Sequence, residues 1–120
     1  MGGRPTRKVR GTVVLPDDAP STGSAALVVR VEDVSRADAP SIVIGETRLE
    51  DVPLEPGGTL PFEVDVAADV VEHGHSYAIS AHLDLSRSGT VEVGDYVSTE
   101  SHPVLTQGHG DEAMVAVRRV

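Results

Sequence analysis

The chain has 120 residues, with nineteen Asp and Glu against ten Lys and Arg, a net charge of −9 and no cysteine. A single domain of this length buries roughly two-thirds of the surface its unfolded form exposes, so it needs no covalent staples. The absence of cysteine excludes disulfides, thiolate zinc sites and a cysteine nucleophile. The acidic balance argues against nucleic acid as a partner, because phosphate binding needs a basic surface.

Phe62, Tyr77 and Tyr96 are the only large aromatic residues, and tryptophan is absent. The interior must therefore be built from Val, Leu, Ile and Ala, and a platform of rings for stacking bases or sugars is out of reach. No run approaches the roughly 20 apolar residues of a transmembrane helix. Residues 1–10, MGGRPTRKVR, are basic but lead into a strand pattern without the apolar stretch of a signal peptide. As written, the chain is expected in the cytoplasm; a cell-envelope location is the alternative if an upstream segment is missing.

Residues 1–6 read as a disordered tail and residues 7–120 as one domain. Apolar residues then alternate with a period of two, the mark of strands with one buried face. In 7–15, Val9, Gly11, Val13 and Leu15 oppose Lys8, Arg10 and Thr12. In 25–33, Leu27, Val29 and Val31 oppose Arg30 and Glu32. The segment 41–49 is a weaker strand interrupted by Gly45, where a bulge or close backbone approach is expected. Leu60, Phe62, Val64 and Val66 follow, with Pro61 placed at a strand beginning or on an edge because it has no amide to donate. Residues 67–73, AADVVEH, are too short for an independent helix and predict one turn crossing between strands. Further strands are expected at 77–85, 91–99, 103–107 and 113–120. The breaks PDDAPSTG, SRADAP, EPGG, SRSG and QGHGD are turn chemistry. Seven or eight short strands at a spacing of about a dozen residues predict an all-β, antiparallel β-sandwich. Its inward set is Val13, Leu27, Val29, Val31, Phe62, Val64, Tyr77, Ile79, Leu83, Val104 and Val115.

Three of the five histidines fall in HGHSYAISAH, residues 73–82. Side chains alternate across a strand, so His75 and His82 point to opposite faces and cannot share a metal through it. His82 belongs to the polar set and is expected to face solvent. His73 and His75 share parity and could clamp a zinc or copper ion, with His102 as a further ligand brought in by the fold. A structural zinc site needs four ligands, and a polar turn feeding a strand explains the pair without a metal. No metal site or cofactor is therefore assigned. A nucleophile elbow, a Walker A loop, a dinucleotide fingerprint and a paired-histidine zinc motif are all missing. The acidic pairs Asp17–Asp18, Glu50–Asp51 and Asp111–Glu112 sit in turn-like stretches where solvation explains them. No catalytic residue is assigned, and the protein is not expected to be an enzyme. In EDVSRADAP, residues 32–40, Asp33, Ser35 and Asp38 are expected to cap turns.

An ordered series of short motifs also runs along the chain. Val9-x-Gly11-x-Val13 is followed by V-x-D-V-S-x-x-D-A-P from Val31 to Pro40. Pro61-Phe62 comes next, then Y-A-I-S-A from Tyr77 to Ala81 and P-V-L-T-x-G from Pro103 to Gly108. This series resembles the YbaY-like lipoproteins, the family that includes the type III secretion pilotin-like YscW proteins. The resemblance implies a compact, non-enzymatic β-sandwich, usually tethered by an N-terminal lipid in the bacterial envelope. Pilotin-type members help an outer-membrane secretin reach its place. This sequence departs from that pattern in having no lipobox cysteine, and it carries His102 where an aromatic residue commonly precedes P-V-L-T.

The expected function is accordingly a non-catalytic binding or assembly module that engages a protein partner. The alternative is a small zinc- or copper-binding β-domain using loop histidines. A partner would most readily pair with an exposed strand edge, for which 103–107 and 41–49 are the candidates. Self-pairing through the same edge would give a homodimer.

Overall fold

Among the described residues, alternation becomes eight strands: β1 (Thr6–Val14), β2 (Ser24–Asp33), β3 (Ile42–Pro53), β4 (Thr59–Ala67), β5 (Tyr77–Asp84), β6 (Tyr96–Ser98), β7 (His102–Val104) and β8 (Glu112–Arg119). The computed structural model describes residues 5–21, 23–36 and 38–120. Hydrogen bonding follows the order β3-β2-β5-β6-β8-β1-β4, with β7 paired to β5 off this path. Neighbouring strands are antiparallel, except that β1 and β8 run parallel. The expected sandwich is thus realised as one eight-stranded sheet that curls until its ends, β3 and β4, nearly meet in a barrel-like form.

Every residue of the expected inward set is buried. The core is aliphatic with Phe62, Tyr77 and Tyr96 added, and its Val, Leu and Ile side chains each contribute roughly 1.5–3 kcal/mol by leaving water. Phe62 lies opposite Gly11 in the β1–β4 ladder, its ring filling the space that glycine leaves. Gly45 behaves as its strand predicts. The β2–β3 register shifts beside it, and a Cβ placed there would lie 3.0 Å from the Asp65 carbonyl oxygen of β4.

Several boundaries differ from expectation. Thr6 already pairs with Ala67, so β1 begins within the stretch read as a tail; residues 1–4 of that stretch lie outside the described residues. β3 continues past Leu49 to Pro53 because a second register shift, with Asp51 at φ 53°, absorbs the acidic pair Glu50–Asp51 without ending the ladder. The segment 91–99 supplies only three strand residues. Its first half is drawn into a turn in which the Asp95 amide donates to the Glu92 carbonyl at 3.0 Å. Residues 68–70 form a single 3₁₀ turn, the crossing expected from AADVVEH.

Strand directions sort the loops by end. The 34–41 connection, the 68–76 crossing and the 105–111 turn gather where β1 begins. The 15–23, 54–58 and 85–95 connections gather at the other end.

Candidate functional site

The sheet does not close between β3 and β4. Gly45 lets β3 rest against β4 at Asp65, and further along the seam a cleft of about 920 Å³ opens. Leu49, Pro61, Phe62 and Met114 supply its apolar lining, and Arg10, Glu63 and Glu112 its charge. Met114 is 72% exposed, an unusual position for a large apolar side chain on a strand. Pro61 lies on terminal strand β4 and has no amide, so the edge lacks a ladder donor at this position. Among the described residues, β3 is hydrogen-bonded to β2 alone, which leaves its second edge without a strand partner there.

The other expected edge is spent differently. Of 103–107, residues 103 and 104 belong to β7, which pairs with β5. The Leu105 amide donates to the Gly110 carbonyl and the Thr106 amide to the Val104 carbonyl, both at 2.9 Å. Leu105 and Gln107 take φ values of 75° and 58°. These residues form a turn and not an extended edge.

His73, His75 and His102 do not converge. Among the described residues, none of them belongs to a group of three side chains placed to hold one ion. Both ring nitrogens of His75 are engaged, Nδ1 2.6 Å from Asp33 Oδ2 and Nε2 2.8 Å from Glu72 Oε2. His73 lies in the exposed crossing, where its carbonyl accepts a hydrogen bond from Gln107 Nε2 at 3.1 Å. His102 pairs with Ile79 and so turns toward the interior, and its Nε2 is buried without a hydrogen-bond partner among the described residues. A buried acceptor or donor left unmatched lowers stability by about 1–3 kcal/mol. His102→Phe removes it at nearly constant shape and is expected to stabilise the fold by about 1 kcal/mol, read as a higher urea midpoint.

The group that does come together is His82, Asp84 and Asp95, with possible ligand atoms within 4.8 Å of one another. His82 has the outward parity expected of it, yet its side chain is only 14% exposed because the 85–95 connection folds over this face. The carboxylates are occupied in holding that connection. Asp84 accepts from the amides of Arg87 at 2.7 Å and Gly89 at 2.9 Å. Asp95 accepts from the amides of Leu85 and Glu92, each at 3.0 Å, and lies 2.9 Å from His82 Nε2. Burial alone would push both carboxyls up. For Asp84 the Gly89 and Arg87 amides with the Ser86 hydroxyl outweigh it, and for Asp95 the His82 ring with the Glu92 and Leu85 amides does so. Both groups therefore sit below the ordinary carboxylate value. The arrangement staples a loop.

At the opposite end, Asp33 caps the turn as its sequence predicts: the Ser35 amide donates to Oδ1 at 3.0 Å and the Ser35 hydroxyl at 2.5 Å. The Ser35 hydroxyl, and then His75, win over burial and lower the Asp33 carboxyl to about 2.

The chain is thus a small, aliphatic, nearly closed β-barrel with an open seam and loop-stapling polar groups. The family described as "Type III secretion system lipoprotein chaperone (YscW)" matches residues 4–117, and the chain belongs to that family. Its fold is also that of an alternative pilotin from the type II secretion system of Vibrio cholerae, at 22% identity and a TM-score of 0.67, covering 97% of this chain and 100% of that one. No curated protein matches the chain. The family supports a non-catalytic assembly or chaperone role. Among the described residues, no helix is long and apolar enough to cross a membrane.

Proposed function

We propose that the protein is an envelope assembly chaperone that holds an apolar segment of a secretin-type partner at the seam between β3 and β4. The observation that carries this reading is the cleft itself. It joins the edge of β3 that has no strand partner among the described residues to exposed Met114 and partly buried Leu49, in a protein of the YscW lipoprotein chaperone family. The family's description supports placement at the cell envelope; fractionation of source cells tests that placement directly. Unpaired strand groups give a partner main-chain hydrogen bonds, and the apolar lining gives it side-chain burial.

Deleting the gene is expected to remove assembled secretin multimers from the outer-membrane fraction of the source cell. Met114→Glu places a charge in the cleft from an already exposed position. It is expected to abolish complementation while the melting temperature stays within a few degrees of wild type. Normal multimers in the deletion strain would refute the chaperone reading. Full complementation by Met114→Glu would move the docking place elsewhere on the molecule.

A further inference from the structure

We infer that His75 is a proton-operated clamp on the 68–76 crossing, holding it shut as the imidazolium and releasing its Glu72 side when the ring becomes neutral. The geometry is specific. Asp33, at the end of β2, faces Nδ1 at 2.6 Å, and Glu72, within the crossing, faces Nε2 at 2.8 Å. An imidazolium donates from both nitrogens, so it satisfies two carboxylates at once. A neutral ring keeps one N–H and turns a lone pair toward the remaining carboxylate. Asp33 is the partner retained, because Ser35 already fixes it. Glu72 is the partner released.

The other groups around the ring fit this assignment. Asp33 raises the His75 pKa most, burial opposes it, Asp33 and Glu72 add charge attraction, and Arg36 in the 34–41 connection works against them. The Tyr77 ring of β5 stacks on His75 with centroids 6.4 Å apart. From the 105–111 turn the contact is uncharged: the Thr106 hydroxyl donates to the His75 carbonyl at 2.5 Å. Because the folded-state value is raised, the clamp is complete below the ordinary imidazole value of about 6.5 and is lost as pH rises through the raised one.

Release reaches beyond one side chain. The Glu72 amide donates to the hydroxyl of buried Tyr77 at 2.9 Å, and that hydroxyl donates to the Val70 carbonyl at 3.2 Å. Residues 68–72 are therefore tied to Tyr77 through the Glu72 amide and to His75, at the end of the same crossing, through the Glu72 carboxylate. Losing the second tie leaves Glu72 held only by backbone, with its carbonyl accepting from the His75 amide at 3.0 Å, and so loosens the hold of its amide on Tyr77.

Amide hydrogen exchange on the whole chain, corrected for intrinsic base catalysis, tests the clamp. Protection of the Glu72 amide is expected to fall at least tenfold as His75, followed by its ring NMR signals, passes from charged to neutral. His75→Gln is expected to show the low, high-pH protection at every pH. His73→Gln, which leaves both carboxylate contacts in place, is expected to keep the step. Constant Glu72 protection across the His75 titration would overturn the proposal, as would persistence of the step in His75→Gln.

Discussion

Gly11→Ala is expected to lower stability by about 3 kcal/mol or more, enough to leave a domain of this size largely unfolded in mild urea. A Cβ at position 11 would lie 1.9 Å from the Ala113 carbonyl oxygen and 2.9 Å from both the Ala113 carbonyl carbon and Phe62 Cζ. The nearest obstacle is backbone, so no rotamer change relieves it. Relief requires β1 and β8 to separate where Gly11 faces Ala113, and the Phe62 ring to give way on the β4 side as well. Gly74→Ala is the control, since a Cβ there meets nothing within 4 Å and the expected change is within about 0.5 kcal/mol. Phe62→Leu is not expected to rescue Gly11→Ala, because the Ala113 oxygen would remain. Urea unfolding of the three single variants and the double variant checks the set; near-wild-type stability of Gly11→Ala would contradict the strand contact described here.

The second large effect is expected at Asp95. Asp95→Ala strands the Leu85 and Glu92 amides and His82 Nε2 beneath the 85–95 connection, with an expected loss of about 3 kcal/mol. Asp95→Asn keeps an acceptor for one amide but loses the charge, so an intermediate loss is expected. The pH dependence has a definite sign. Asp84 and Asp95 are held below the ordinary carboxylate value, so their contribution is complete above about pH 4 and is lost as pH falls through their lowered values. The gap between wild type and Asp95→Ala is therefore expected to narrow as pH falls below about 4. A gap that kept widening below about pH 4 would show that the carboxylate is not the staple.

The strands and the core were legible because one rule governs both: a period of two with aliphatic residues on one face. It places Leu27, Val29 and Val31 inward without knowledge of any partner strand. The same rule misplaces nothing on β5, yet it misreads the surroundings of His82. Parity says which face a side chain joins, and only tertiary structure says what lies over that face. The cover here is the 85–95 connection, whose anchor Asp95 lies thirteen residues beyond His82 and looks like an ordinary turn aspartate. Glu50–Asp51 misled for a related reason. An acidic pair suggests a turn, but a residue in left-handed conformation lets a bulged strand continue. The seam cleft was the least legible feature. It is assembled from β1, β3, β4 and β8 by the curl of the whole sheet, and no local pattern encodes that closure. Gly45 and Pro61 were its visible traces, each flagged for how a glycine or proline must sit in a strand.

The position of β8 between β6 and β1 has a consequence for how the molecule is made. Without it, β2, β3, β5, β6 and β7 form one ladder and β1 with β4 another, and among the described residues no backbone hydrogen bond between strands joins them. Residues 112–119 must therefore leave the ribosome before the halves can be stitched together. Folding of this domain is a late, whole-chain event dominated by distant pairings, with refolding expected on the millisecond-to-second scale of such topologies. Until that moment the nascent polypeptide presents two incomplete sheets with open flanks, the state in which it is most exposed to misassociation.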